Sequence, residues 1–215
     1  MLTHMADDRT DVRRTQAQRR ETMVALLIEA TVDAIDELGY ASASIQQVVT
    51  RAGVSQGALF RHFPTRLDLV AATAQQVLER QVDAFEESAG ALDERADARS
   101  ILTAVRDLAG SRNAGVVREI VMAARSDILL RQKLAPHIEA HYRRLGEIAD
   151  TLPMLAMLPC PTRRAVVTLV TVVFDGEAVR DAVLPDAETA DAEFEILIML
   201  TLALGVGAAP VVGGP

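Results

Sequence analysis

The sequence predicts an all-α protein of about nine helices. Half of its 215 residues are apolar, and only 3% are aromatic. Ala, Leu, Glu and Arg are abundant and are good helix formers, and the prolines fall between stretches of helical periodicity. Because a chain of this length can bury a sizeable core, it has room for one large or two small domains.

The first helix is predicted from about residue 16 to residue 38, after an arm of residues 1–14 that we expect to be flexible. Thr15 and Gln18 have the spacing of a capping box, and apolar residues then recur at helical spacing until Gly39. Glycine favours the end of a helix because it adopts left-handed backbone angles without strain. The pattern therefore predicts a helix that stops just before Gly39.

Two short helices follow the first one. Ser44 is a suitable cap for a second helix, which is expected to end at Gly53. Ser55 is a cap for a third helix, predicted to extend to Phe63, because Pro64 disfavours helical geometry in the residue before it. The chain therefore contains two short helices joined by a turn of about three residues.

The rest of the chain is predicted to be helical as well. Thr65 and Asp68 match a helix start, and the helix that they begin is expected to reach about residue 88. The following stretch, rich in Gly, Asp, Glu and Ala, is interpreted as a helix end and a loop. Later helices are predicted near residues 99–110, 114–125, 127–151, 161–184 and 187–205.

The last two predicted helices are apolar on nearly every side. Burial on all faces is easier in a small domain when part of the surface packs against a second copy, so we expect a homodimer through these two helices. The apolar run 196–215 is long enough to span a bilayer, but glycines and Pro210 interrupt it and no basic residue flanks it. No membrane partner is expected. With one cysteine, Cys160, and no secretory signal, we expect a cytoplasmic protein.

The net charge of −8 is unevenly distributed along the chain. Residues 12–66 carry seven arginines and five acidic residues, whereas residues 71–215 carry 14 basic and 21 acidic residues. A basic end on an acidic body suits a protein that presents one end to phosphates, although an acidic surface is often simply solvated.

The segment from Ser44 to Leu69 has the pattern of a helix-turn-helix. Ala52 is small enough for two helices to approach each other, and Gly53 can adopt a left-handed conformation in the turn. Val54 fills the angle between the helices, and Ser55 caps the second of them.

This segment resembles the TetR family of bacterial transcriptional regulators. The matching residues are Ala52, Gly53, Val54, Ser55, Gly57, Leu59, His62 and Phe63, and residues 174–184 (FDGEAVRDAVL) are similar to the family's penultimate helix. Three positions depart from the family pattern. Phe60 replaces the usual tyrosine and lacks its hydroxyl, Val49 replaces alanine, and Arg66 replaces lysine while keeping the charge.

The resemblance implies that the third helix enters the major groove of DNA. Gln56 and Arg61 are expected to contact bases, since glutamine pairs with adenine and arginine with guanine, and Gly57 and Ala58 allow close approach. The alternative for these side chains is a solvated surface. Leu59 and Phe63 are interpreted as core residues. Phosphate contacts are expected from Ser44, Gln46, Ser55, His62 and Arg66, and the predicted DNA-binding set also contains Gln47, Arg51 and Phe60.

The arginines at the start of the chain leave two interpretations open. They belong either to a disordered tail or to an arm that follows the DNA backbone. These residues are Arg13, Arg14, Arg19 and Arg20.

The same resemblance implies that the helices after the third bind a small effector whose identity the sequence does not reveal. A mostly apolar pocket with a few polar contacts is expected. The alternative is an ordinary core, since a Met or Phe at helical spacing usually belongs to one. The candidates are Phe85, Met122, Arg125, His141, Phe174 and Glu177.

The histidines His137 and His141 lie four residues apart, a spacing that suits a metal ion on one helix face. Pro136 and the arginines Arg143 and Arg144 instead favour an exposed turn. Glu139 is misplaced for a His-Glu-x-x-His site, and no Ser-His-Asp, phosphate-loop or dinucleotide motif is present. We therefore expect no metal, no cofactor and no enzymatic activity.

Together these patterns predict a DNA-binding domain in residues 1–66 and an effector-binding and dimerisation domain in residues 67–215. The predicted function is that of a repressor that releases a palindromic operator when its effector binds. The alternative is a helical small-molecule-binding or enzymatic protein with a vestigial helix-turn-helix. An activator is a third possibility that the sequence leaves open.

Overall fold

A computed structural model of the protein describes residues 5–91, 97–152, 155 and 158–207, in which there are nine α-helices and no strand. The prediction of an all-α fold is confirmed. The helices are α1 (Met5–Ser42), α2 (Ile45–Ala52), α3 (Gln56–Phe60), α4 (Arg66–Ala91), α5 (Ala98–Ala109), α6 (Arg112–Ala124), α7 (Ile128–Thr151), α8 (Cys160–Asp181) and α9 (Ala187–Gly207).

The chain forms two compact units. The first consists of the chain up to Ala74 together with Glu119–Lys133, and the second of Gln75–Arg118 together with the chain from Leu134 onward. The first unit therefore contains α1, α2 and α3, with the start of α4, the end of α6 and the start of α7. The split within α4 lies eight residues beyond the boundary predicted after residue 66.

Helix α1 begins earlier than predicted. It extends back to Met5, so residues 5–14 are helical, and the remainder of the predicted flexible arm, residues 1–4, lies outside the described residues. The stretch from Met5 to Gln18 contains neither Gly nor Pro, and nothing in it interrupts the helix. At the other end the predicted stop is confirmed, because Gly39 has non-helical angles (φ 75°, ψ 159°) and kinks the chain.

Two other features differ from the sequence pattern. Helix α3 ends at Phe60, three residues before the predicted end, and the amides of His62 and Phe63 both donate to the Leu59 carbonyl in a closing turn. Helix α7 lies close to the bounds predicted for it, 127–151, but it contains Pro136, so the exposed turn that was also predicted there was wrong. An internal proline removes one backbone hydrogen bond, but buried residues on both sides of Pro136 pack the helix in place.

The first unit has a core of aliphatic side chains that come from every helix in it. Their spacing on α1 is helical, as the sequence predicted, and α2 and α3 each supply one face. The fully buried members include Leu27, Ile35, Val48, Leu59, Leu69, Ile120 and Leu130.

The second unit is built around Phe174 of α8, which is 2% exposed and packs against Phe194 of α9 with ring centroids 6.1 Å apart. This cluster is continuous with a second one around Phe85, because Val105 and Leu152 pack against both. Among the helices that the structure describes, none is long and apolar enough to cross a membrane.

Candidate nucleic-acid interface

Helix α2 has the start and stop that the sequence predicted. The Ser44 Oγ accepts the Gln47 amide at 3.3 Å, and Gly53 adopts left-handed angles (φ 65°, ψ 32°). The Gly53 amide donates to the Thr50 carbonyl at 3.3 Å and the Val54 amide to the Val49 carbonyl at 3.0 Å. These two bonds form a Schellman motif, which fixes the direction in which the chain leaves α2.

Helix α3 is held on the body of the first unit by its apolar side. The Ser55 Oγ accepts the Ala58 amide at 3.2 Å, which confirms the predicted cap. Leu59 and Phe63 are buried, as expected of core residues. With these two side chains inward, the outward side of α3 presents Gln56, Gly57, Phe60 and Arg61, all exposed, and we call these four residues the recognition face.

All twelve predicted DNA-binding residues lie between residues 44 and 66 of the first unit, and most are exposed. The four that are half-buried are Arg51, Ala58, His62 and Arg66. Ser44 and Ser55 use their Oγ as acceptors in the caps, which leaves each hydroxyl hydrogen for a phosphate. The Nδ1 of His62 is buried and has no hydrogen-bond partner among the described residues.

Arg51 is paired within the protein. Its Nη2 lies 2.5 Å from a carboxylate oxygen of Glu37, and its Nη1 donates to the Gln47 side-chain oxygen at 2.8 Å. A phosphate contact from Arg51 would have to compete with Glu37. No local sequence pattern indicates this pair, since the two residues lie 14 positions apart on different helices.

Arg66 holds the connection between α1 and α2. Its Nη2 donates to the Tyr40 carbonyl at 2.6 Å and its Nε to the Ala43 carbonyl at 3.2 Å, and its guanidinium lies 4.4 Å from the centre of the Tyr40 ring. The forked donor of arginine makes both bonds at once, which a lysine would not do. Sequence reasoning predicted a phosphate contact for Arg66 and missed this role.

The backbone amide of Tyr40 also has a partner, in addition to the carbonyl that Arg66 binds. This amide donates to the Glu119 carboxylate of α6 at 3.1 Å. The backbone around Tyr40 is therefore fixed by a carboxylate at its N–H and by the Arg66 guanidinium at its C=O. Both partners belong to the first unit and are distant in sequence, so no local pattern revealed them.

The side chains of α2 and α3 are linked by a chain of polar contacts. The Thr50 hydroxyl donates to the Gln46 carbonyl at 2.8 Å and accepts from the Gln46 Nε2 at 3.3 Å. The Gln46 Oε1 in turn accepts from the Gln56 Nε2 at 2.9 Å. Gln46, for which a phosphate contact was predicted, and Gln56, for which a base contact was predicted, are therefore in contact with each other.

The basic residues at the start of the chain lie on helix α1. Arg19 and Arg20 are exposed there. Arg13 and Arg14 fall in the helical part of the chain as well, so the disordered tail was wrong, while an arm that follows the DNA backbone stays a prediction and would be helical.

Four of the six candidate effector residues lie in the second unit, and two do not. Phe85 and Phe174 are buried in its core, and Glu177 binds Arg106 with a carboxylate oxygen 2.6 Å from Nη2. Met122 and Arg125 are exposed residues of the first unit. The fourth residue of the second unit, His141, is half-buried and its Nδ1 is buried without a hydrogen-bond partner among the described residues.

Burial lowers the pKa of His141 from its usual value of 6.5, against the opposing effect of the Leu78 carbonyl and the charge of Asp175. As the pH falls below about 6.5, the imidazole of His141 therefore becomes protonated in the unfolded chain but stays neutral in the folded protein. We expect the free energy of unfolding to fall as the pH is lowered through this range, and to be unaffected by His141 above it.

Urea unfolding at several pH values between about 5 and 8 tests this expectation. The His141→Gln variant should show a weaker loss of stability on acidification than the wild type. Equal pH dependence in the two proteins would contradict the assignment of His141 as a buried, neutral imidazole.

Comparison with known proteins agrees with the helix-turn-helix described above. Residues 27–73 match the model of the bacterial regulatory proteins of the tetR family. The chain is 42% identical to an uncharacterised HTH-type transcriptional regulator of Mycobacterium tuberculosis over 192 residues, which cover 88% of this chain and 98% of the relative.

Solved structures share the fold. A transcriptional regulator from Rhodococcus sp. superposes with a TM-score of 0.67 at 21% identity, covering 88% of this chain and 99% of the other. FadR from Bacillus subtilis in complex with stearoyl-CoA gives a TM-score of 0.56 at 19% identity, with coverage of 88% and 99%. The family model and the mycobacterial relative identify a transcriptional regulator, in place of the alternative of a helical small-molecule-binding or enzymatic protein with a vestigial helix-turn-helix. The chain belongs to the TetR family of DNA-binding, helix-turn-helix transcriptional regulators.

Proposed function

We propose that this regulator is a repressor that binds a palindromic operator as a homodimer and releases it when a small molecule binds the second unit. The observation that supports operator binding most directly is the recognition face. Its polar members Gln56 and Arg61 are exposed, while the buried Leu59 beneath them anchors α3. A face of this kind can enter the major groove without any change in the core.

The surfaces of α8 and α9 support a homodimer. Each helix carries large apolar side chains that are about half exposed in the single chain, among them Leu169 and Val172 on α8 and Met199 and Leu200 on α9. Several exposed apolar side chains of this size on a regulator are best explained by a second copy that covers them, here as a bundle of four helices. Such a dimer presents two recognition faces to two half-sites about 34 Å apart.

The second unit supports the binding of an apolar effector. Its core is formed by Phe85, Phe174 and many aliphatic side chains, and the buried Nδ1 of His141 has no hydrogen-bond partner within the part of the chain that the structure describes. A solved protein of this fold holds stearoyl-CoA, a ligand with a long apolar chain. Glu177 is already neutralised by Arg106, so a cationic ligand would have to displace that arginine.

Binding of the purified protein to duplexes from its own promoter region, followed by fluorescence anisotropy at moderate salt, tests operator recognition. The variants Gln56→Ala and Arg61→Ala should lose the preference for the operator over random DNA while their melting temperatures stay unchanged. Each good base contact is worth about 1 to 3 kcal/mol of discrimination. Arg164→Ala removes an exposed arginine of α8 and serves as the control.

Two results would contradict the proposal. One is a wild-type protein that prefers no promoter sequence, and the other is an unchanged preference in both variants. The sign of regulation is measured separately with a reporter gene behind the operator. We expect transcription to rise when the regulator gene is deleted, whereas a fall would identify an activator.

Replacing Gly57 by alanine should separate folding from DNA binding. Among the described residues, a Cβ added at Gly57 would have the Ser55 Oγ as its one neighbour within 4 Å, at 3.9 Å, so the protein itself has room for it. Alanine favours a helix over glycine, and the free energy of unfolding should stay constant or rise by up to about 1 kcal/mol. The affinity for the operator should fall by about tenfold or more, because the new methyl group would project from the recognition face towards the DNA and prevent close approach. Thermal melts and anisotropy measure the two effects.

Gly53→Ala is the matched control for this prediction. Gly53 also has open space around it, but its φ of 65° strains any residue with a Cβ. This variant should lose about 1 kcal/mol or more of stability. Unchanged operator affinity in Gly57→Ala would mean that Gly57 does not lie against DNA, and a loss of stability would mean that the protein itself has no room for the methyl group.

A further inference from the structure

We propose that Gln46 is a specificity-determining residue: together with Thr50 it fixes the amide orientation of Gln56, so that Gln56 prefers adenine at the base it contacts. This inference rests on the proposed contact between α3 and the major groove. It replaces the phosphate contact expected for Gln46 with a positioning role.

Thr50 determines which atom donates and which accepts in each of these hydrogen bonds. Its hydroxyl has one hydrogen, which it donates to the Gln46 carbonyl at 2.8 Å, within the same helix. The Thr50 Oγ1 can then only accept a further bond. The group that approaches it, 3.3 Å away, must therefore be the NH₂ of Gln46 and not its side-chain oxygen.

The orientation of Gln46 determines that of Gln56. With its NH₂ turned to Thr50, Gln46 directs its Oε1 towards α3, where only a donor can bind it. Gln56 supplies that donor, with its Nε2 2.9 Å from the Gln46 Oε1. The amide of Gln56 is thereby prevented from flipping, because a flip would place two carbonyl oxygens against each other.

The groups that remain free on Gln56 match one base. One of its two N–H bonds is used by Gln46, which leaves the side-chain oxygen and the other N–H. Adenine offers an N6–H donor and an N7 acceptor in the major groove, and these pair with that oxygen and N–H. Guanine offers acceptors at both positions, so the oxygen of a fixed Gln56 would be opposed by the guanine O6.

The test uses the full-length protein and a library of random duplexes, from which the bound sequences are selected. Comparison of the wild type with Gln56→Ala identifies the base position that depends on Gln56. At that position the wild type should prefer adenine over guanine by about tenfold or more. Gln46→Leu should reduce this preference towards unity, while preferences at other positions persist.

Further variants distinguish a role of Gln46 in orienting Gln56 from a direct contact of Gln46 with DNA. Thr50→Val removes both the donor and the acceptor and should also relax the adenine preference, whereas Thr50→Ser keeps the hydroxyl and should retain it. The double variant Gln46→Leu/Gln56→Ala should be no less selective than Gln56→Ala alone, because the two residues act together. Gln132→Leu, at an exposed position of α7, makes the same chemical change elsewhere.

Several outcomes would overturn the inference. If Gln46→Leu weakened binding to all sequences alike and kept the adenine preference, Gln46 would be a phosphate contact. A Gln56-dependent preference for a base other than adenine would overturn it as well. If the wild type enriched no sequence, the proposed operator recognition would fail and this inference with it; enrichment without a role for Gln46 would leave the proposed function intact.

Discussion

Replacing Leu200 by glutamate is expected to separate the proposed dimer into monomers. Leu200 lies on α9 and is 53% exposed in the single chain, so the substitution should leave the core of the second unit intact. In a dimer, however, it would place a carboxylate in an apolar interface, where an unpaired charge is strongly unfavourable. Sedimentation equilibrium measures the change in mass.

Operator binding should fail together with dimerisation. A dimer binds its second half-site as an intramolecular event, and loss of that linkage costs about 10² to 10⁴ in apparent affinity. We therefore expect the Leu200→Glu protein to bind the full operator no better than a single half-site. Anisotropy with full and half operators makes this comparison.

Leu129→Glu provides the matched control for the dimer prediction. Leu129 is similarly exposed, at 57%, but it lies on α7 in the first unit, outside the proposed interface. This variant should remain a dimer. If the Leu200→Glu and Leu169→Glu proteins both stayed dimeric at micromolar concentration, the interface would have to lie elsewhere.

Replacing Phe174 by alanine should strongly destabilise the second unit. The ring of Phe174 is 2% exposed and lies in the centre of a cluster that also contains Phe194, Val170 and Leu102. Removing a buried phenyl ring loses its burial and leaves a cavity, at a cost of about 3 to 5 kcal/mol. Since small proteins are stable by only about 5 to 15 kcal/mol, this is a large part of the total.

Urea unfolding monitored by circular dichroism measures this loss, with Phe174→Leu as the control. Leucine keeps most of the apolar volume and should cost about half as much or less. A loss below about 1 kcal/mol in the alanine variant would mean that Phe174 faces an open cavity rather than a packed core. That result would support the pocket position that the sequence suggested for this residue.

The sequence determined those features of this protein that depend on neighbouring residues. Ser44 and Ser55 act as caps because a hydroxyl can reach an amide three residues ahead, and Gly53 ends α2 because only glycine is unstrained at its φ of 65°. Helical spacing of apolar residues likewise placed the core faces of α1 and α3 correctly. These rules are local, and tertiary contacts did not override them.

Where local signals were weak, the surrounding structure decided the outcome. The sequence predicted both a helix over 127–151 and an exposed turn at Pro136; the helix forms through Pro136, because packing on both sides outweighs one lost hydrogen bond. The capping box at Thr15 does not begin α1, because no Gly or Pro precedes it and the helix continues back to Met5. A capping signal permits a helix start without requiring one.

Only the tertiary structure revealed the partners of the polar side chains at the interface. Arg66 binds the Tyr40 carbonyl, Arg51 binds Glu37, and Gln56 binds Gln46. Each pair joins residues 10 to 26 positions apart, in different helices. The sequence identified the residues that could meet DNA, because their types and spacing are local. Which of them are free to do so depends on the angle between helices, and that angle is set by the buried side chains on which the helices rest.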